Sequence, residues 1–210
     1  MTDVRPATLD DVELLARIAA AGFYDDPVLS WAFRDGARRL DQLTFVFTGL
    51  VHDMLPERGT VHLAGDACAA FWREPGFEHG RTASDRVQDV VEDEDDERPP
   101  PFAPDELARL GILGEAMMAS HPHEPHWYLN VVSTIPERQG QGLGTAVLQP
   151  VLERCDAEGT RAYLESTNPR NLTLYRKQGF VEAGEIKLPD GPSLIQMWRE
   201  PRGRWPSMFE

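Results

Sequence analysis

Cysteine is nearly absent from this chain: Cys68 and Cys155 are the only two in 210 residues. A chain this long has no need of disulfide staples, so both read as buried free thiols and the expected compartment is a reducing cytoplasm. Long apolar runs are missing as well. No stretch approaches the roughly eighteen residues needed to span a bilayer, and Met-Thr-Asp-Val-Arg-Pro at the start lacks the apolar core of a secretory signal. No membrane partner is expected. Positive charge is also scarce: 21 Lys and Arg against 35 Asp and Glu leave a formal net charge of −14. That is the reverse of the basic footprint of a nucleic-acid binder, so nucleic acid is excluded as a partner. Attraction of a cationic substrate is compatible with it. The imbalance is concentrated in Glu92-Asp93-Glu94-Asp95-Asp96-Glu97, and a like-charge block of this kind reads as a solvated segment rather than an active site.

What the chain does have is glycine in one informative place, Gln139-Gly140-Gln141-Gly142-Leu143-Gly144-Thr145. It follows the apolar run Trp127 to Val132 and opens an apolar-periodic segment through Leu148, Val151 and Leu152. That pattern predicts a strand, a glycine-rich turn and a helix start, where free N–H groups and the helix dipole favour a phosphate. A P-loop is excluded, because Gly144 is followed by Thr145 with no lysine. A dinucleotide fingerprint is excluded too: counted from Gly140 or Gly142, its third glycine falls on Thr145 or Val147. The spacing instead reads Gln-x-x-Gly-x-Gly from Gln139 to Gly144.

That spacing resembles the acetyl-CoA pyrophosphate loop of the GNAT family of N-acetyltransferases. Downstream, Asn168-Pro-Arg-Asn171-Leu-Thr-Leu-Tyr175-Arg-Lys-Gln-Gly179-Phe180 resembles the second hallmark of that family. Within it, Glu124-Pro125-x-Trp127, Gln139 to Gly144, Pro169-Arg-Asn171 and Pro189-x-Gly191-Pro192 are similar to the puromycin N-acetyltransferase branch. The likeness covers mainly residues 120–200, with a looser echo at 1–35.

The resemblance implies a mixed α/β fold with a largely antiparallel, twisted sheet of six or seven strands, flanked by helices and splayed between the fourth and fifth strands. The residues suggest the same class. Thr2 to Pro6 reads as a short edge strand, Thr8 or Asp10 as the cap of a helix through Val12, Leu15 and Ile18, and Gly22 to Pro27 as its interruption. A second helix is expected over Asp41 to Met54, ended by Pro56. Thr60–Ala64 and Cys68–Trp72 form an expected hairpin about Gly65-Asp66. Further helices are expected near Ser84 to Val91, over Asp105 to Met118 and over Asn171 to Gln178, with strands at Arg161–Ser166, Phe180–Leu188 and Ser193–Trp198. One domain over 1–200 is expected, with an acidic insertion at about 73–104 and a tail at 201–210. The apolar last strand, with Trp205, Met208 and Phe209 after it, suits either a homodimer contact or cover for its own core.

By the resemblance, acetyl-CoA is the co-substrate. Val132, Ser133 and Thr134 would pair with its amide arm, and Gln139, Gly140, Gln141, Gly142, Leu143, Gly144 and Thr145 would take its pyrophosphate. Asn171 would bond the cofactor while Asn168 caps the short helix. Tyr175 matches the catalytic tyrosine, a phenol able to protonate a departing thiolate. Glu165 is a candidate base, with a substrate-orienting group or salt-bridge partner as alternatives. Tyr24, Asp25, Asp26 and Trp31 suit an acidic, aromatic wall for a cationic acceptor, although an Asp-Pro turn explains Asp26-Pro27 equally. His121, His123 and His126 are separated by prolines and lie far from cysteine, so no metal is expected. Trp31, Trp72 and Trp127 read as core or pocket wall. The acceptor is expected to be a small-molecule amine, an antibiotic or aminonucleoside among them. A protein N-terminus is the alternative within the family, and a non-catalytic acyl-CoA-binding module the alternative outside catalysis.

Overall fold

The computed structural model describes residues 3–55, 59–76 and 102–203. The expected helix at 84–91, the acidic run at 92–97, most of the expected insertion, Pro56, and tail residues 204–210 lie outside the described residues. Seven strands form one sheet in the order β1-β2-β3-β4-β5-β7-β6. They are β1 (Val4–Pro6), β2 (Gly59–Ala64), β3 (Cys68–Arg73), β4 (Trp127–Thr134), β5 (Ala162–Ser166), β6 (Val181–Lys187) and β7 (Ser193–Arg199). Six α-helices flank them among the described residues: α1 (Val12–Phe23), α2 (Pro27–Ala32), α3 (Gly36–Met54), α4 (Pro104–Ser120), α5 (Leu143–Glu158) and α6 (Leu172–Gln178).

Within the described residues the expected elements are present, with instructive departures. The first helix does not stop at Gly22. It runs to Phe23, and the corner falls at Tyr24–Asp26, where the Asp26 carboxylate accepts from the Val28 and Leu29 amides at 3.0 and 3.1 Å. That cap, with Pro27 at the first helical position, starts the unexpected α2. Gly22 sits in the helix because β4 passes so close that a Cβ there would lie 2.2 Å from Ser133 Oγ. The second long helix begins at Gly36 rather than Asp41, because the Asp35 carboxylate caps it through the Ala37 amide at 2.9 Å. β7 is not an outer strand. It lies between β5 and β6 with Met197 fully buried, so the apolar last strand covers its own core.

Two cores press on the sheet. On one face, α1, α3 and the chain around Phe102 bury Leu15, Ile18, Phe33, Phe47, Phe71 and Val131. On the other, α5 and α6 bury Leu148, Val151, Leu152, Tyr175 and Phe180 against Trp72, Trp127 and Leu164. Phe102, at the end of the expected insertion, packs its ring on Phe33 and Phe45 at 5.6 and 5.5 Å. Both cysteines are free and buried, and burial pushes the Cys155 thiol up to about 12 and raises that of Cys68. Scarcely any thiolate exists at pH 8, so alkylation of the native protein is expected to be negligible and to track unfolding in urea. Rapid native-state labelling would contradict the burial.

The junction of β4 and β5 decides the functional geometry. Every other neighbouring pair in the sheet is antiparallel; β4 and β5 are parallel and pair at Trp127↔Ala162 and Tyr128↔Tyr163. Beyond those two rungs the strands diverge into a wedge. A β-bulge in β4 coincides with its root: the register to β3 shifts between Leu129 and Val131, leaving Asn130 unopposed.

Candidate active site

A groove of about 600 Å³ runs from the glycine loop to the α1–α2 corner. Its floor is the end of β4. The Ile135 amide bonds the Ala67 carbonyl at 2.9 Å, and with the 67↔135 register continuing to Ala69↔Ser133, alternation sends the Ser133 main chain to β3. The main chains of Val132 and Thr134 therefore face the wedge. The Ser133 side chain turns away too, donating to the Ile18 carbonyl at 2.8 Å. Of the three strand residues singled out from the sequence, two present backbone to the wedge, and Ser133 anchors β4 to α1. Gln139 Nε2 donates to the Thr134 carbonyl at 3.1 Å, fastening the loop to the strand it follows.

The loop itself is built for an anion. Gly140 and Gly142 hold φ of 73° and 81°, the left-handed region, and no atom lies within 4 Å of where a Cβ would stand on either. A side chain there would strain the backbone and project into the open groove. Gly142 is the N-cap of α5, and the first helical bond runs from the Ala146 amide to the Gly142 carbonyl at 3.0 Å. The amides of residues 140 to 145 have no acceptor among the described residues. Six N–H groups without a protein acceptor at a helix start suit a pyrophosphate. Gln141 alone of the loop residues does not line the groove; its side chain bridges Arg138 Nε at 3.0 Å and the Glu137 carbonyl at 3.3 Å.

Arg138, Arg170 and Lys177 also line the groove. These cations were not recognised in the sequence, where each is a single residue beside a motif in a strongly acidic chain. Folding brings all three to the groove that the glycine loop lines. Asn168 and Asn171 line the same groove, and the Asn168 carboxamide is occupied in capping the Arg170 amide at 3.1 Å. Asn171 makes no side-chain cap bond.

Asp25 and Asp26 close the far end of the groove. Asp26 is buried and accepts from Thr167 Oγ1 at 2.5 Å as well as from the α2 amides. Burial raises its pKa, and those hydrogen bonds oppose the rise. Tyr24 and Trp31 are not groove residues. The Tyr24 hydroxyl donates to the Gly36 carbonyl at 2.9 Å under the Arg39 guanidinium, and the Trp31 indole lies against Gly191 in the β6–β7 turn. Tyr175 stands behind the lining, 6% exposed, with its ring on Phe180 at 6.1 Å. Among the described residues its hydroxyl has no hydrogen-bond partner, and burial, then the charge of Asp26, raises its pKa well above the ordinary tyrosine range.

Glu165 faces away from α5, at the wedge root. It is two residues past Tyr163, the last residue of β5 paired to β4. Its side chain is 0% exposed, with His121 Nδ1 3.5 Å from Oε1, while the residue as a whole is half-buried. The remaining exposure is therefore main chain that has lost its neighbouring strand. His121 and His126 form an aromatic cluster with Tyr128 and Tyr163, and His123 is exposed. Among the described residues no group of three or more His, Cys, Asp and Glu is disposed to hold a metal ion, and no helix is long and apolar enough to cross a membrane.

Comparison with known proteins follows the same lines. The family model described as acetyltransferase (GNAT) family matches residues 66–180, from the β2–β3 turn to the start of β6. A 62-residue stretch is 37% identical to an uncharacterised N-acetyltransferase of Schizosaccharomyces pombe, covering 30% of this chain and 25% of that protein. The match thus spans about a quarter of the relative's length. Among solved structures, that of histone acetyltransferase HPA2 and related acetyltransferase from Corynebacterium glutamicum superposes with a TM-score of 0.68 at 24% identity, over 94% of this chain and 95% of that one. The Drosophila melanogaster polyamine N-acetyltransferase, an enzyme that forms N-acetylagmatine, gives 0.61 at 13% identity over 94% and 99%. At these identities the likeness shows a shared fold.

Proposed function

The chain belongs to the acetyltransferase (GNAT) family, and from that premise we propose that it moves an acetyl group from acetyl-CoA directly to the primary amine of a small cationic molecule. The wedge between β4 and β5, opening beside the free amides of the glycine loop, is the observation that carries this reading. The pyrophosphate sits on those amides with Arg138, Arg170 and Lys177 around it. The amide arm runs back along β4, bonding Val132 and Thr134 as a neighbouring strand would, with Asn171 beside it. From Thr134 back to Asn130 is about 13 Å at the rise of a strand, which brings the thioester to the wedge root. There the β4 backbone at the bulge is available to polarise the carbonyl oxygen.

Proton transfers complete the step. Glu165 at the wedge root accepts a proton from the acceptor ammonium, and the freed amine attacks the thioester carbon. The C–N bond forms, the C–S bond breaks, and Tyr175 protonates the departing thiolate and is reprotonated by the second proton lost from the acetylated nitrogen. The raised pKa of Tyr175 keeps it protonated for that task. Asp25 and Asp26 supply negative charge at the acceptor end, which supports a cation. The likeness to the puromycin N-acetyltransferase branch says less about the acceptor. Trp127 is fully buried core and Glu124 is paired with Arg161 at 2.5 Å, so that motif supports the frame rather than a substrate contact.

Release of free thiol from acetyl-CoA, measured with agmatine, spermidine, tryptamine, puromycin and an alanine-initiated peptide, tests the reading. Release with at least one small amine and none with the peptide is expected. Acetylation of the peptide alone would transfer the activity to protein N-termini. Tight CoA binding with no release from any amine would make the chain a binding module.

A further inference from the structure

A second cavity, about 460 Å³, lies at the opposite end of β4 from the glycine loop. It is lined by His121, His123, His126, Tyr128 and Met118, with Arg73, Glu74 and Glu124 as its charged groups. Directly behind its wall is Glu165, its side chain fully buried, with the phenols of Tyr128 and Tyr163 and the His121 ring as its polar neighbours. A carboxylate buried among phenols and an imidazole is costly to keep charged unless those groups partner it or it has a task. His121 is the cation-capable group beside it, its side chain 12% exposed. One ring thus touches both the carboxylate and the cavity. His126 is differently employed. Its Nδ1 donates to the Glu124 carbonyl at 2.6 Å, and burial holds its pKa down. The other groups facing His121 and Glu165 are the phenols of Tyr128 and Tyr163. Burial, then the Glu165 charge, pushes both above the ordinary tyrosine range, so they stay neutral. The Tyr163 hydroxyl already accepts from Gln196 Nε2 at 2.8 Å. That leaves His121 as the member of the cluster placed to take a proton from Glu165 and pass it on.

We propose that His121 is the relay through which Glu165 sheds the acceptor's proton into the second cavity. The inference rests on Glu165 acting as the base. The ammonium and the acetyl thioester become the acetamide, the free thiol and one proton. Two protons leave the nitrogen; the thiolate takes one by way of Tyr175, and the other must leave the site. Glu165 passes that proton to His121 Nδ1, and the ring releases its Nε2 proton to water at the cavity rim, where His123, Glu124 and Pro125 are exposed. A tautomer reset then returns His121 to its starting state.

The test uses the full chain and the amine from the panel above that gives the fastest thiol release. His121→Asn is expected to lower kcat about tenfold at pH 7, since water can partly stand in for the ring. It should leave the CoA dissociation constant unchanged and remove one ionisation from the pH profile of kcat/KM. In His121→Gly, added imidazole is expected to restore turnover in proportion to its free-base fraction. Wild-type kcat with an unaltered profile in His121→Asn overturns the relay, as does the absence of imidazole rescue in a glycine variant that binds CoA. Glu165→Gln separates the two levels. If it turns over at the wild-type rate, or if no amine is acetylated, the base reading fails and takes the relay with it. If Glu165→Gln collapses while His121→Asn is unaffected, Glu165 remains the base and the relay alone is refuted.

Discussion

Tyr175→Phe is expected to cost about a thousandfold in kcat, within the range positioned acids and bases supply, while leaving CoA affinity nearly intact. The substitution removes one oxygen from a buried ring. The ring's packing on Phe180 survives, and among the described residues no hydrogen bond is broken, so the fold is not at stake. On the proposed mechanism, only the proton for the leaving thiolate is lost. The pH dependence has a definite sign. Tyr175 must be protonated to act, and its pKa is raised by burial and by Asp26, so its protonated range extends upward. No loss of kcat traceable to this group is expected below about pH 10, where an ordinary tyrosine begins to ionise. The measurement is single-turnover thiol release across pH, with CoA binding measured by calorimetry. Unchanged kcat in Tyr175→Phe would assign the acid role elsewhere. A matched loss of CoA affinity would make the tyrosine a packing residue.

Gly142→Val is expected to weaken CoA binding by about a hundredfold or more. The backbone at φ 81° lies in the left-handed region, which a β-branched residue occupies at a cost of about 1–3 kcal/mol. The loop would relax to avoid that cost and displace its unpaired amides. Where it did not relax, the side chain would stand in the groove, since no protein atom lies within 4 Å of the Cβ position. At about 1.4 kcal/mol per factor of ten, strain and displaced phosphate contacts together reach the stated loss. Gly144→Ala is a useful contrast. Gly144 lies within α5, and its Cβ would meet Leu174 Cδ2 at 3.3 Å, a flexible side-chain end that can yield. A small effect is expected there. CoA titration of both variants checks the pair, and equal, minor losses would show that the loop conformation is not what holds the donor.

The donor half of the site was legible because its chemistry is local. The glycines, the strand before them and the helix after them are contiguous, and their spacing encodes the turn. The acceptor half was less legible because the sheet brings distant segments together. Glu165 was singled out, but its partner His121 lies before β4 and meets it only across the β4–β5 pairing. The donor half has its own case of this, since Arg138, Arg170 and Lys177 reach the groove from three segments. Tyr24 and Trp31 were grouped with Asp25 and Asp26 by proximity in sequence, yet α2 turns the Trp31 indole away to Gly191. α2 itself was hidden because Asp26-Pro27 reads as a helix breaker until the carboxylate is seen capping a new helix. A periodicity of two could not separate Val132 and Thr134 from Ser133 either, because which main-chain groups face the wedge depends on the register with β3.

The two-rung pairing of β4 with β5 has a consequence for self-association. A strand that loses its neighbour offers unpaired amides and carbonyls, and sheet edges of that kind recruit other chains. Here the exposed backbone is not at the rim of the sheet but inside it, between two strands fixed on their outer sides to β3 and β7. An incoming polypeptide would need strand spacing on both sides, and the closing angle at Tyr128 and Tyr163 denies it that width at the root. The same divergence that leaves this backbone unpaired therefore keeps it away from the rim of the sheet, where edge-to-edge pairing with another copy would begin.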